Sequence, residues 1–321
     1  MTDCSGLVTL DDIRAAADRI KGAALRTPLV PYPVTGPDRP LWVKAEALQP
    51  TSAFKLRGAY NAISAQIDRA REAGVVSHSS GNHARAVAWV AARLGLRAVI
   101  VMPDTTPPNK IAAVRALGAE AVIVKPRERD TKAFELAEEH GYLPIPPYDD
   151  PYVIAGQGTI GLEIVEDMPD VDAVWVPVSG GGLSAGISTA VKALRPETKV
   201  FGVEPELAGD AAQSKREGRR VVWEPEQTYR TVADGLRTTG VGVLNWEHIS
   251  RYVDDIVTVS EEQILAAVRS LILDTRVVTE PSGAVSTAGF LAHAGAEPGR
   301  HVAILSGGSI NPELLAEVMR G

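Results

Sequence analysis

The sequence predicts an α/β protein in which parallel-rich sheets are covered by helices. Two observations predict this fold class. Short runs rich in Val and Ile are typical of buried parallel strands, and amphipathic segments of helical period lie between them. Alternation of this kind favours βαβ units. With 321 residues, of which 45% are hydrophobic, the chain is long enough to form two compact domains.

The predicted elements follow one another in regular alternation. A helix begins after Thr9, because Thr9 and Asp12 have the spacing of a capping box before an apolar-periodic run. The predicted strands cover residues 41–45, 75–77, 98–102, 121–125, 173–178, 200–203 and 302–305. The other predicted helices cover residues 84–94, 111–117, 131–140, 183–194 and 261–273, and one more opens within residues 51–58 and continues through residue 65.

Two breakpoints divide the chain. One lies near residues 69–74, and the other is the Pro-rich stretch 144–151, which has the composition of a linker. They predict one domain formed by residues 71–150. Residues 1–70 and 151–321 together form the other, larger domain.

Composition excludes several classes of protein. The formal charge is −7, with 33 basic against 40 acidic residues, whereas nucleic-acid binders depend on an excess of basic groups. The single cysteine, Cys4, excludes an intramolecular disulfide and a Cys-based zinc site. No apolar run reaches the roughly 18 residues that span a bilayer, and the N-terminus does not have the pattern of a signal peptide. The sequence therefore predicts a cytoplasmic protein that binds neither nucleic acid nor membrane.

The most prominent motif is a glycine-rich turn between a predicted strand and a predicted helix. It consists of Ser179, Gly180, Gly181, Gly182 and Leu183. Glycines allow several backbone N–H groups to point at the start of the helix, where the dipole favours an anion, so the motif indicates a phosphate site. An ordinary glycine turn is the alternative.

A lysine at the start of another predicted helix is a candidate nucleophile. Lys55 lies between Phe54 and Leu56, and an apolar setting lowers the pKa of an amine and suits it to form a Schiff base. A solvated surface charge is the alternative interpretation.

A third motif follows the strand at 75–77 and consists of Ser79, Ser80, Gly81, Asn82 and His83. Small hydroxyls, an amide and backbone N–H groups at a strand-to-helix turn can bind a carboxylate. A simple helix cap with a structural histidine explains the same residues.

Two further loops follow predicted strands. Ser306 begins a Ser-Gly-Gly-Ser sequence after the last strand. Glu204 and Asp210 follow the strand at 200–203, and their oxygens could hold a hard cation. Acidic loops without a ligand are also common.

The order of these motifs resembles the fold type II family of pyridoxal-phosphate enzymes, in its threonine/serine dehydratase and serine racemase branch. The resemblance is carried by Ser52-x-Phe54-Lys55-x-Arg57-Gly58 together with Ser80-Gly81-Asn82-His83, and it extends from about Val8 to the C-terminus. It implies a two-lobed architecture and a homodimer. The larger domain would bind the cofactor, the smaller one would lie on the substrate side, and the substrate would be a small amino acid.

The resemblance also implies roles for single residues. Lys55 would bind pyridoxal phosphate covalently beside Phe54, and Asn82 would hydrogen-bond its phenolic oxygen. Residues 179–183 would hold its phosphate. Ser306 would face the pyridine nitrogen, and because a neutral serine does not keep that nitrogen protonated, the chemistry would favour β-elimination. Tyr148 would lie near the ring.

The remaining implied roles concern substrate and metal. Residues 79–83 would bind the substrate carboxylate, and Ser80 would handle the proton on the face opposite Lys55. Glu204, the carbonyl of Ala208 and Asp210 match a site for Mg²⁺, or for Ca²⁺ or Mn²⁺.

The predicted function is an L-threonine/L-serine ammonia-lyase that yields a 2-oxo acid and ammonia. The alternatives are a serine racemase, a dehydratase of another 3-hydroxy amino acid such as hydroxyaspartate, or a non-catalytic amino-acid sensor. Arg85 would favour an acidic substrate if it points into the site, since a guanidinium binds a carboxylate well. Pointing outward, it would be a surface charge.

Overall fold

The computed structural model describes residues 6–33, 35–296 and 298–320. Cys4 lies outside the described residues. The strands are β1 Leu29–Tyr32, β2 Leu41–Ala45, β3 Val75–His78, β4 Ala98–Pro103, β5 Glu120–Val124, β6 Leu143–Pro144, β7 Ala173–Pro177, β8 Lys199–Pro205, β9 Asp255–Val259 and β10 His301–Leu305.

Helices separate these strands along the chain except β1 and β2, which follow one another directly. The first seven are α1 Leu10–Ile20, α2 Lys55–Ala65, α3 Ile67–Ala73, α4 Asn82–Leu94, α5 Pro108–Ala116, α6 Arg129–His140 and α7 Pro151–Asp167. The others are α8 Gly182–Leu194, α9 Asp210–Glu217, α10 Pro225–Thr228, α11 Val243–Tyr252, α12 Glu261–Thr275, α13 Pro281–His293 and α14 Pro312–Arg320. The capping box at the start of α1 is confirmed, with Asp12 N–H donating to the Thr9 hydroxyl.

The strands form two sheets. One has six strands in the order β1-β2-β10-β7-β8-β9, and the other has four in the order β5-β4-β3-β6. Every pairing is parallel except β1 with β2. The central strands β7 and β10 are buried along their whole length, as expected for parallel strands with both faces covered. The predicted α/β class is confirmed.

All seven predicted strands are present, but β1, β6 and β9 were not predicted. The long helix α7 was also missed, because three glycines, Gly156, Gly158 and Gly161, weaken its helical signal. These glycines have a packing role. A Cβ on Gly156 would lie 2.6 Å from the Cα of Gly58, and one on Gly161 would lie 2.8 Å from the carbonyl oxygen of Ile187. Helices α2 and α8 therefore pack closely against α7.

Among the described residues, no helix is long and apolar enough to cross a membrane.

Candidate active site

Lys55 is the first residue of α2, and its side chain is half-buried. The region around Lys55, Pro147 and Asn82, where segments from the two sheets meet, is called the cleft below. Lys55 Nζ donates a hydrogen bond to the carbonyl oxygen of Pro147 at 2.6 Å and lies 5.1 Å from the centre of the Phe54 ring. Burial among neighbouring protein atoms disfavours the charged ammonium and lowers the pKa of Lys55 to about 8. The side chain is therefore a partly deprotonated amine near neutral pH, as a nucleophile requires.

The glycine-rich turn lies between β7 and α8, directly opposite Tyr148. The Tyr148 ring packs on Gly180, where a Cβ would overlap it, and a Cβ on Gly182 would lie 3.0 Å from the Tyr148 carbonyl oxygen. Gly181 has φ +92°, a conformation that a side chain would strain. The turn leads into the N-terminus of α8, whose first N–H groups have no partner within the helix. A helix start of this kind suits a phosphate.

Two residues that the sequence did not single out hold the turn in place. Asn245 Nδ2 donates to the carbonyl oxygen of Gly180 at 2.6 Å, and the hydroxyls of Ser179 and Thr238 lie 2.9 Å apart. Both partners are more than fifty residues from the turn in sequence, so no local pattern could have indicated them.

The turn at residues 79–83 connects β3 to α4. The hydroxyl of Ser79 accepts from Gly81 N–H, and Asn82 Nδ2 donates to Glu280 Oε1 at 2.6 Å. His83 Nε2 lies 3.0 Å from the carbonyl oxygen of Ile145. A carbonyl only accepts, so Nε2 carries the proton and Nδ1 is an acceptor. Nδ1 is buried and has no hydrogen-bond partner in the described part of the chain.

Burial lowers the pKa of His83 to about 3, so the ring is neutral. With its only ring N–H donated to Ile145, the His83 side chain has no N–H left for a ligand, and its backbone N–H lies in the first turn of α4.

Ser306 follows β10 and lies next to the segment that carries Lys55. Its carbonyl oxygen accepts from Phe54 N–H at 3.1 Å, and Ala53 forms a β-bridge with Gly307. The Ser306 hydroxyl is buried and donates to the carbonyl oxygen of Ser282. The end of β10 and the start of α2 are thereby held together.

Arg57, the other charged residue of the Lys55 motif, is a buried anchor. Its guanidinium bonds to Glu46 at 2.8 Å and to Glu163 at 2.6 Å, and it is fully buried. These two carboxylates hold α2 against α7 and against the turn Glu46–Leu48 that follows β2. The charges are buried and hydrogen-bonded, so removing one partner at a time is costly.

Glu204 and Asp210 form a buried carboxylate pair on β8 and α9. Glu204 accepts from the N–H groups of Ala211 and Ala212 at 3.2 and 2.8 Å, whereas Asp210 Oδ2 is buried without a hydrogen-bond partner among the described residues. Burial and the neighbouring Asp210 raise the pKa of Glu204 well above its usual value, and burial raises the pKa of Asp210 to about 7. Ala208 is buried beside them. In the described part of the chain, no three His, Cys, Asp or Glu residues form a metal cluster.

Arg85 lies on α4 one turn after Asn82 and is half-buried. Its Nη1 donates to the Ser309 hydroxyl at 3.2 Å and to the Thr51 carbonyl oxygen at 3.4 Å. The outward-pointing surface charge considered from the sequence is therefore not what the structure shows.

Arg129 is another charged residue near the cleft, and it was not predicted. Its Nε lies 2.6 Å from Asp130 Oδ1, a carboxylate that is also 3.0 Å from His78 Nδ1. Burial and Asp130 raise the pKa of Tyr148, and the charge of Arg129 opposes them. No motif around Arg129 distinguishes it from the other basic residues of this segment.

Comparison with known proteins identifies the family. Residues 20–307 match the family described as pyridoxal-phosphate dependent enzyme. The chain is 40% identical to an L-threonine ammonia-lyase of Thermotoga maritima, over 98% of this chain and 78% of that protein. It is 39% identical to an L-threo-3-hydroxyaspartate ammonia-lyase of Saccharomyces cerevisiae, over 98% of this chain and 97% of that protein.

A solved structure supports the same assignment. Maize serine racemase superposes with a TM-score of 0.90 at 35% identity, over 98% of this chain and 97% of that one. The chain therefore belongs to the family of pyridoxal-phosphate-dependent enzymes, in the fold type II group of threonine dehydratases and serine racemases.

Proposed function

We propose that the protein is an L-threonine/L-serine ammonia-lyase that converts a β-hydroxy amino acid into a 2-oxo acid and ammonia. The observation that carries this proposal is the hydrogen bond from Lys55, a lysine of lowered pKa, to Pro147, whose neighbour Tyr148 packs its ring on the glycine-rich turn. Similarity to threonine ammonia-lyases supports the same activity.

The residues of the cleft fit pyridoxal phosphate. Residues 179–183 and the start of α8 would bind the phosphate through backbone N–H groups. Lys55 would hold the aldehyde carbon, Asn82 would donate to the phenolic oxygen, and Ser306 would face the ring nitrogen with Phe54 and Tyr148 beside the ring. When bound, this cofactor supplies an electron sink for bond breaking at the substrate Cα.

The chain's own groups would carry the protons. The Lys55 amine would remove the Cα proton on one face, since its pKa near neutrality suits a general base. Ser79, Ser80 and Gly81 would bind the substrate carboxylate with the backbone N–H groups of Asn82 and His83. The β-hydroxyl would then leave as water with the proton that Lys55 had taken up, and hydrolysis of the released enamine would give the 2-oxo acid and ammonia. Ser306, as a neutral partner of the ring nitrogen, would favour that elimination.

Specific observations favour two alternatives, namely racemisation of serine and elimination from an acidic substrate. Ser80 lies in the turn at the start of α4, where it could exchange a proton on the second face, and the similarity to maize serine racemase supports racemisation. Similarity to a hydroxyaspartate ammonia-lyase supports an acidic substrate. A non-catalytic sensor would not need a lysine of lowered pKa.

We also propose a divalent cation, Mg²⁺ or else Ca²⁺ or Mn²⁺, between Glu204, the Ala208 carbonyl and Asp210. The unpartnered, buried Asp210 Oδ2 supports it, because a buried carboxylate oxygen without a hydrogen bond is costly and a cation would satisfy it.

The two separate sheets support a small domain at residues 71–150 and a larger one formed by residues 1–70 and 151–321. The homodimer and the cytoplasmic location stay predictions from the sequence.

A panel of amino acids tests the proposed function. L-serine, L-threonine and L-threo-3-hydroxyaspartate are each incubated with the cofactor-loaded protein, and 2-oxo acid and ammonia are measured together. Equal amounts of both products from serine or threonine are expected, with loss in Lys55→Ala and retention in Lys21→Ala, an exposed lysine after α1. Products from hydroxyaspartate alone would reassign the substrate, and no products from any of the three would refute an ammonia-lyase.

A further inference from the structure

A buried carboxyl group lies beside the proposed cofactor residues, and no step proposed above uses it. Glu280 directly precedes α13 and is 5% exposed. Asn82 Nδ2 donates to its Oε1 at 2.6 Å. Asn82 begins α4, which connects β3 to β4 and packs on the four-stranded sheet, whereas α13 packs on the six-stranded sheet. This hydrogen bond therefore joins the two halves of the cleft.

The chemistry of the two groups fixes the orientation of the amide. An ionised carboxylate only accepts hydrogen bonds, whereas a carboxamide offers an acceptor on one side and a donor on the other. An ionised Glu280 therefore selects the orientation in which the Asn82 nitrogen faces it, and the second N–H of that nitrogen stays available. A protonated Glu280 can donate to Asn82 Oδ1 and no longer excludes the reversed amide.

Charged groups at three other positions act electrostatically on this carboxyl. Asp234 lies on the same side of the cleft as Glu280, whereas Lys110 on α5 and Arg85 on α4 come from the opposite side; Lys110 Nζ pairs with Asp234 at 3.0 Å. Burial and Asp234 raise the pKa of Glu280 to about 7, and the Asn82 hydrogen bond, Lys110 and Arg85 oppose that shift. The ionisation of Glu280 therefore changes across neutral pH.

We infer that Glu280 is a positioning residue for Asn82: its carboxylate selects the amide orientation that directs an N–H at the phenolic oxygen of pyridoxal phosphate. The reversed amide would direct an oxygen lone pair at that oxygen and repel it. This inference rests on the proposed cofactor site, because it requires the cofactor to lie between Lys55 and Asn82.

The test measures cofactor affinity in protein freed of cofactor. Pyridoxal phosphate is titrated into the parent and into Glu280→Gln from about pH 5.5 to about pH 8.5, and the dissociation constants are compared. Glutamine keeps an acceptor for Asn82 but has no charge and does not titrate. Titrations of the cofactor phosphate and of Lys55 are common to both proteins and cancel in the ratio of the constants.

The parent should bind about fivefold more tightly than Glu280→Gln at the alkaline end, as expected for a charge-assisted hydrogen bond against a neutral one. This advantage should disappear at the acidic end, with a midpoint near pH 7. In Asp234→Asn the midpoint should move to lower pH, because a like charge is removed and Lys110 is released from its partner.

If the ratio of the dissociation constants of Glu280→Gln and the parent stays constant with pH, the inference is overturned. If Glu280→Gln does not fold, an unchanged pH profile in Asp234→Asn would overturn it as well. Failure of the proposed function is distinguishable, because the parent would then not bind pyridoxal phosphate covalently at Lys55 at any pH.

Discussion

The protonation of one amine determines how the cleft can react. Burial lowers the pKa of Lys55 to about 8, so a falling pH protonates the amine and removes its lone pair. Covalent uptake of pyridoxal phosphate should therefore become about tenfold faster for each pH unit up to about 8 and then level off. Stopped-flow absorbance between pH 6 and pH 10 measures the rate. A rate that is flat from pH 6 to pH 8 would show that the amine is already neutral.

The Ser80 hydroxyl distinguishes elimination from racemisation, because only racemisation requires it. Elimination needs one base on one face, whereas racemisation needs a second group on the other face. Ser80→Ala should abolish D-serine formation and leave elimination from L-serine, reduced by the loss of one carboxylate donor. Chiral chromatography beside a 2-oxo acid assay measures both reactions. Undiminished D-serine formation would assign the second face to another residue.

Helix packing places Lys55, and glycines make that packing possible. A Cβ on Gly156 of α7 would lie 2.6 Å from the Cα of Gly58 and 2.7 Å from the carbonyl oxygen of Arg57, both backbone atoms of α2. Gly156→Ala should destabilise the protein by about 1–3 kcal/mol through overpacking. Urea unfolding measures the change.

Gly36→Ala is the matched control, because no atom of the described residues lies within 4 Å of a Cβ at Gly36. It should change the free energy of unfolding by less than about 0.5 kcal/mol. Equal effects of the two substitutions would show that the α2–α7 contact does not limit stability.

The sequence predicted those helices and strands that are marked by a pattern of neighbouring residues. The strand at 302–305 is buried on both sides and reads as a continuous apolar run, and Thr9 with Asp12 makes the predicted capping box. The missed features depend on partners far away in the chain. The glycines of α7 allow this helix to pack closely against α2 and α8, which lie elsewhere in the sequence. Glu280 accepts a hydrogen bond from Asn82, which lies 198 positions earlier in the chain. Neither contact leaves a periodic pattern in the sequence.

The carboxylate pair on β8 and α9 connects ligand binding to the stability of the whole molecule. A cation between Glu204 and Asp210 would bind the folded chain only and stabilise it by mass action. Saturating Mg²⁺ should raise Tm on the order of 5 °C, and a chelator should reverse the change. Asp210→Ala should lose this response, whereas Asp11→Ala, an exposed carboxylate on α1, should keep it. A Tm of the parent protein that responds to none of Mg²⁺, Ca²⁺ and Mn²⁺ would rule out the site.

The arrangement of the whole molecule places one lysine where β10, the glycine-rich turn and the segment before α7 converge. Borohydride reduction of the cofactor-loaded protein, followed by peptide mapping, tests this central claim most directly. The reduced pyridoxyl group should be found on the peptide that contains Lys55 and on no other. Label on a different lysine, or protein that holds pyridoxal phosphate without any covalent label, would contradict the assignment of Lys55.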